Sequence, residues 1–433
     1  MCSETTKTVL RQMRKLVADT CISTQFLFST ALGLFPYKYN TGTRRLTIAR
    51  WLNYYWPLIN IAIALMTLYI YFLKSKMNEI HFISDKPLNK LLAHIHYILG
   101  FCTLYVIVIT NWCRRKELFR LHNELVQMQR RQQRWQRRWT VKSNNQIEAF
   151  YYNCIIAKSV MTLLQEVSSI SGKMGINPHP SLKYVLYVVF MFAMKNVTYL
   201  TVTNFHFALL NIYRQLQQVN WNFQEVVRLW GERAPNAFDM PFEHVTDIAF
   251  DAGAQSHSAK RRYGRRNFDE SAITDLCRQY VRICALAKRV CKHYEWQVLL
   301  FLAIILFGNV MSTFYFLVYL GGNVLPQELF SPTLFLQIYF INTLDLGFFM
   351  VICERSMASS KETGFLLKKL SQLKSLPPAL QHEFEMLSIF MAGETVRFRF
   401  CGLVEWNFRT GASYMTATIL YLIVLVQFDY YNL

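Results

Sequence analysis

Five ionisable side chains lie inside, or at the edge of, stretches otherwise apolar enough to cross a bilayer: Lys158, Glu166, Lys195, Asp345 and Arg409. Charge in hydrocarbon is costly, so such groups face a protein interior, a counter-charge or a water-filled path. Lys158 sits about one-third of the way along its stretch and Asp345 about midway along another that runs in the opposite direction, so the two meet at similar depth. That placement suits a structural ion pair between helices, a ligand or gating role, or exposure to water. Glu405 and Arg409, four residues apart in the favourable order, read as a local helix pair.

Catalysis is not indicated. HExxH, P-loop, GxSxG, dinucleotide-fingerprint and CxxC patterns are all missing from the chain. Cys277, Cys284 and Cys291 repeat every seven residues and so share one helix face, but no further ligand stands at zinc-like spacing. They read as buried, reduced thiols, and neither a metal nor a cofactor is implied. The groups able to orient a small molecule are aromatic and amide: His94, His96 and Tyr97; Gln165 and Glu166; Tyr184 and Tyr187; Phe314, Tyr315 and Tyr319; Gln337, Tyr339 and Asn342. Such a set forms an apolar pocket with a few hydrogen-bonding groups, or an interfacial aromatic belt.

The elements that must position these residues are apolar spans. With 433 residues, 53% hydrophobic and 15% aromatic, the chain has the composition of an all-α, polytopic membrane protein. The spans read as 51–73, 91–112, 150–170, 184–210, 297–320, 333–353 and 411–428, which makes seven. The last has 18 residues without a charge, about 27 Å of helix, just enough to cross hydrocarbon.

Three short connections (74–90, 171–183 and 321–332) alternate with three long polar ones (113–149, 211–296 and 354–410). Lys and Arg number eight in 1–50, ten in 113–149, thirteen in 211–296 and eight in 354–410, against four, two and none in the short connections. The positive-inside rule then puts the amino terminus in the cytosol and the carboxyl terminus outside. The net charge of +20 thus reports topology rather than nucleic-acid binding.

Residues 16–35, less apolar than the spans, read as a re-entrant or interfacial helix ending at Pro36. The segments LFRLHNELVQMQRRQQRWQRRW and ITDLCRQYVRICALAKRVCKHY carry apolar residues at helical spacing among Arg and Lys. They read as cytosolic extensions of membrane helices, or as basic amphipathic helices for anionic lipid or calmodulin. Residues 231–271 lack periodicity and read as a flexible loop.

In the last span, Leu420-Tyr421-x5-Gln427-Phe428 resembles the carboxyl-terminal Thr-Tyr-x5-Gln-Phe signature of insect gustatory receptors, with Leu in place of Thr. RFRFCGL (397–403), the closing QFDYYNL, LGLFPYKYN (32–40) and RRLTIARW (44–51) look like fly receptors of the divergent, mostly bitter-associated group. The resemblance implies a ligand-gated, poorly selective cation channel in the plasma membrane of chemosensory neurons, opened by a small-molecule tastant. It implies a homo- or hetero-tetramer of related receptors, the seventh span lining a central pore and the cytosolic extensions forming an anchor domain.

Carried onto this sequence, Gln427 and Phe428 stand at the extracellular gate with Val424 and Tyr421 deeper, and Leu420 lacks the hydroxyl of the family residue. The expected division is 1–50, a cytosolic terminus with the interfacial helix; 51–353, a six-span ligand-binding bundle; and 354–433, anchor helices and pore span. G-protein-coupled receptors also have seven spans, but they need an extracellular amino terminus, and no DRY-like or NPxxY motif is present. A secondary transporter would show paired broken spans in repeated halves, which are not apparent.

Overall fold

The computed structural model describes residues 4–76, 87–138, 144–174, 182–231, 270–320, 332–371, 378–393 and 396–431. Most of the three short connections and the 231–271 loop lie outside them. The described residues form helices α1 (Glu4–Ala31), α2 (Leu52–Lys76), α3 (Pro87–Cys113), α4 (Arg115–Arg138), α5 (Asn145–Met174), α6 (Leu182–Gly231), α7 (Glu270–Leu320), α8 (Pro332–Ser371), α9 (Pro378–Gly393) and α10 (Phe408–Tyr431). Two hairpins interrupt them: β1 (Tyr37–Asn40) with β2 (Arg45–Ile48), and β3 (Arg399–Phe400) with β4 (Val404–Glu405).

Each expected span falls within its own helix, in order α2, α3, α5, α6, α7, α8 and α10. Four of these, α3, α7, α8 and α10, hold a stretch long and apolar enough to cross a membrane by composition alone. α6 and α7, with 50 and 51 residues, are each about 75 Å long, more than twice a hydrocarbon thickness. They therefore run well past the bilayer, as does α8.

These overhangs replace much of what the polar composition of 211–296 and 354–410 marks as connection. Leu210, Ile212, Leu216, Val219, Phe223 and Val226 on α6 are fully buried against α7 and α8. α4 buries Leu118, Leu121, Leu125, Met128 and Trp135 in the same core, so its apolar face serves this bundle. Cys277, Cys284 and Cys291 are buried free thiols of that core.

The helix expected over 16–35 starts at Glu4 and ends at Ala31, ahead of Pro36. It packs on α5 and α6, where Gln25 Nε2 donates to the Leu200 carbonyl at 3.0 Å and Asn204 Nδ2 to Ser29 Oγ at 2.9 Å. After it, Gly33 adopts φ +68°, and a Cβ there would sit 2.2 Å from Ile59 Cγ2, so the exit from α1 admits no side chain. The β1–β2 hairpin is pinned to α4 by reciprocal bonds between Asn123 and the Leu46 backbone.

The expected Glu405–Arg409 helix pair does not form. α10 begins at Phe408 behind an Asn407 cap, whose Oδ1 accepts from the Thr410 N–H at 2.9 Å, so Glu405 is outside helical geometry. Glu405 instead lies in β4 and pairs with Arg399 at 3.2 Å, while Thr410 Oγ1 donates to its backbone carbonyl.

Candidate functional site

Polar side chains from three helices meet inside the spanning part. Lys158 on α5 holds both oxygens of Asp345 on α8 at 2.6 and 2.7 Å, and the two side chains are 3% and 4% exposed. Two helical turns further along α5, Gln165 Nε2 donates to Asn342 Oδ1 at 3.3 Å and to Asp345 Oδ2 at 3.4 Å. Asn342 Nδ2 donates to Asn309 Oδ1 on α7 at 3.2 Å, and Asn309 reaches Thr343 at 3.5 Å. Gln337 bonds Ser168 at 3.1 Å nearer the α8 start. The result is a polar seam joining α5, α7 and α8.

Alone in hydrocarbon each of these groups would be unfavourable; interlocked, each partner satisfies the next. The seam is not fully closed: buried Gln165 Oε1 accepts no hydrogen bond.

The aromatic candidates divide. His96 on α3 stacks on Phe307 of α7 with centroids 6.1 Å apart, and Tyr97 meets His96 edge-on. Tyr315 packs with Leu92, Phe314 and Phe335, and this small cluster also holds Leu422 and Leu425 of α10. Its hydroxyl is buried without a partner. Tyr339 stacks edge-on to Phe340 and is partly buried, and Glu166 is half-buried. The side chains of Tyr187 and Tyr319 lie outside the described residues.

Asn309 is the member of the seam missed in the sequence. It was legible by the rule that singles out Asp345, an isolated polar group in an apolar run (ILFGNVM), but an amide carries no charge to draw attention. His206 is likewise buried, stacked on Phe348 at 5.1 Å.

α10 is different in kind. Its inner end is seated by Phe398, Phe400 and Trp406 of the β3–β4 hairpin, all at most 2% exposed, with Phe400 against Phe205 and Trp406 against Phe349. Gly411 then passes so close to α8 that a Cβ would lie 2.3 Å from Met350 Sδ. Beyond it Tyr421, Val424 and Phe428 are more than half exposed, and Gln427 is exposed too. Within the isolated subunit the four residues expected at the pore thus face outward.

On the inner side, burial holds His122 of α4 down at about 4, only partly offset by its bond to the Arg44 carbonyl. Glu148 accepts from Arg214 and Gln218 in a second buried cluster.

The molecule so described is a polytopic helical membrane protein with an interhelical polar seam and one helix left largely uncovered. The chain belongs to the 7tm chemosensory receptor family, whose model matches residues 22–432. Across 416 residues, 94% of each chain, it is 24% identical to the gustatory receptor for bitter taste 22e of Drosophila melanogaster. It is 23% identical to putative gustatory receptor 22a of the same fly, over 94% of this chain and 92% of that one. Its fold is that of the insect olfactory receptor OR5 of Machilis hrabei, at TM-score 0.62 and 10% identity over 94% of this chain and 97% of that one. A second OR5 structure, in complex with eugenol, matches at the same TM-score over 97% and 99%. The family comprises multi-pass membrane receptors and not enzymes.

Proposed function

We propose that this receptor is a ligand-gated, non-selective cation channel for small extracellular tastants of the bitter class. Four chains, identical or from related receptors, surround a pore lined by α10, with Gln427 and Phe428 at its outer gate and Val424 and Tyr421 below. The observation that carries this reading is that one broad face of the outer half of α10, with Tyr421, Val424, Gln427 and Phe428, is exposed, while its inner end is locked into the fold. Apolar rings close a pore by dewetting, and amides coordinate hydrated cations.

In this reading residues 51–353 supply the ligand site and 354–433 the anchor and pore. The tastant occupies the space between the seam and the Tyr315 cluster, within reach of Gln165 and His96. The Tyr315 cluster contacts Leu422 and Leu425, so a ligand that repacks it acts directly on the gate helix. The OR5 structure with eugenol and the bitter-taste relative support a small organic ligand.

Purified receptor in planar bilayers, challenged with a panel of bitter compounds, should pass ligand-evoked cation current. Gln427→Ala and Phe428→Ala should change its amplitude or basal level. No current across the panel, with cellular responses unaffected by both substitutions, would sink the pore assignment.

A further inference from the structure

On the inner face, away from the seam, an open cleft of about 960 Å³ lies between α1, the turn of the β1–β2 hairpin, α4, α5 and α6. Six cations line it: Arg11 and Lys15 from α1, Arg44 from the hairpin, Arg130 and Arg137 from α4, and Arg214 from α6. The two carboxylates on its wall are already engaged, Asp19 by Arg44 and Glu148 by Arg214, each at 2.5 Å. Among the described residues, Arg11, Lys15, Arg130 and Arg137 have no carboxylate partner. Glutamines rather than acids fill much of the remaining wall. Like charges held together across two helices repel, and the fold gathers them without compensation.

A second observation comes from the lining itself. Arg214 is 3% exposed and gives Nε and Nη2 to Glu148, yet its Nη1 has no hydrogen-bond partner. A buried N–H without an acceptor is destabilising, and an anion supplying an oxygen there removes that penalty. Arg130 is held at the rim by a bond from Nη2 to the Thr43 carbonyl, which fixes its guanidinium in place. Arginine presents paired N–H groups that match oxyanions, and four cations without a carboxylate partner favour a multiply charged phosphate over a singly charged carboxylate or chloride.

The flank of α1 opposite Arg11 and Lys15 exposes Val9, Met13, Leu16 and Val17. A helix with one apolar and one basic flank lies at the bilayer surface, where anionic headgroups concentrate on the cytosolic side.

We propose that this cleft binds a small, multiply phosphorylated anion of the phosphorylated-inositol type, either as an inner-leaflet lipid headgroup or as a soluble phosphate ester. Its phosphates bridge Arg11 and Lys15 of α1 to Arg130 and Arg137 of α4, above the incompletely paired guanidinium of Arg214. Bound there, it ties the amino-terminal helix and hairpin to the cytosolic bundle. The inference stands apart from ion permeation and does not require it.

The test uses the full-length receptor in detergent, with three fluorescent probes: soluble inositol trisphosphate, short-chain phosphatidylinositol bisphosphate and short-chain phosphatidylserine. The expected result is saturable binding of a phosphorylated-inositol probe, weak binding of phosphatidylserine, and loss of affinity as salt is raised. The triple variant Arg11→Gln, Lys15→Gln, Arg137→Gln should lower that affinity roughly tenfold or more. Arg131→Gln, exposed on α4 and outside the cleft, should bind as the parent does. Because the three substituted side chains make no ion pair among the described residues and stand among like charges, the ligand-free melting temperature of the triple variant should equal or exceed the parent's, separating lost binding from misfolding. Tighter binding of the lipid than of the trisphosphate assigns the site to a membrane headgroup; the reverse order assigns it to a soluble ester. Equal binding of phosphatidylserine, no binding of either inositol probe, or undiminished binding by the triple variant would overturn the proposal.

Discussion

The cytosolic overhangs of α6, α7 and α8 and the outer half of α10 are built from similar apolar residues but end in opposite environments. On the α6 overhang Leu216, Val219, Phe223 and Val226 are fully buried, whereas 11% of the apolar stretch of α10 is buried inside the subunit. In the overhangs most large apolar side chains are buried against neighbouring helices. On the outer half of α10, Leu422 and Leu425 reach the Tyr315 cluster, while Ile419, Leu420, Tyr421, Ile423 and Val424 stay about half exposed or more. An apolar helix thus takes its meaning from what covers it, and covering is something one sequence shows only in part.

Breaking the polar seam should have the largest effect. Lys158→Met or Asp345→Asn alone strands a buried charge or its partner and should cost about 3–5 kcal/mol, read as a large drop in the melting temperature of purified receptor. Combining Lys158→Met with Asp345→Leu should restore most of that loss; a double variant no better than either single would show that the pair is not the relevant unit.

The overhang core comes next. Phe223→Ala removes a fully buried ring and should destabilise by about 3–5 kcal/mol, whereas Val424→Ala should stay within roughly 0.5 kcal/mol in the dissociated subunit. A Val424 effect as large as that of Phe223 in the monomer would erase the contrast between the two regions.

Acid should act on the inner bundle in a graded way. His122 is buried neutral, with its folded value lowered to about 4 from 6.5. Its contribution is therefore fully present above pH 6.5 and lost as pH falls toward 4, because the unfolded chain takes the proton first. Melting curves of the parent should fall through that window, and His122→Gln should flatten them. The smallest effect belongs to the exposed Arg399–Glu405 pair: Arg399→Ala should change stability by less than about 1 kcal/mol.

Seven spans and helical overhangs were legible because apolar periodicity and the Lys/Arg asymmetry are local signals. The meeting of Lys158 with Asp345 was legible too, since antiparallel spans put equal depths side by side. Asn309 and the division of the aromatic set were not, because which faces meet depends on how α3, α7 and α8 rotate about their axes. Glu405 misled for a local reason: four-residue spacing means a pair only inside a helix, and RFRFCGLVE folds back at Cys401 and Gly402, both with positive φ. The basic cleft was hidden because its cations come from residues 11 to 214, a grouping that only tertiary structure creates.

The close passage of Gly411 over Met350 has a thermodynamic corollary. Met350 lies on the same helix as Asp345 and Asn342, a little more than one turn beyond the first and a little more than two beyond the second. A shift of that helix changes both the seam and the seat of α10, so occupancy of one and the position of the other share an equilibrium. Such linkage is reciprocal. A substitution at Met350 that makes α10 easier to move should tighten or weaken ligand binding by the same factor, although Met350 belongs to neither the seam nor the aromatic cluster.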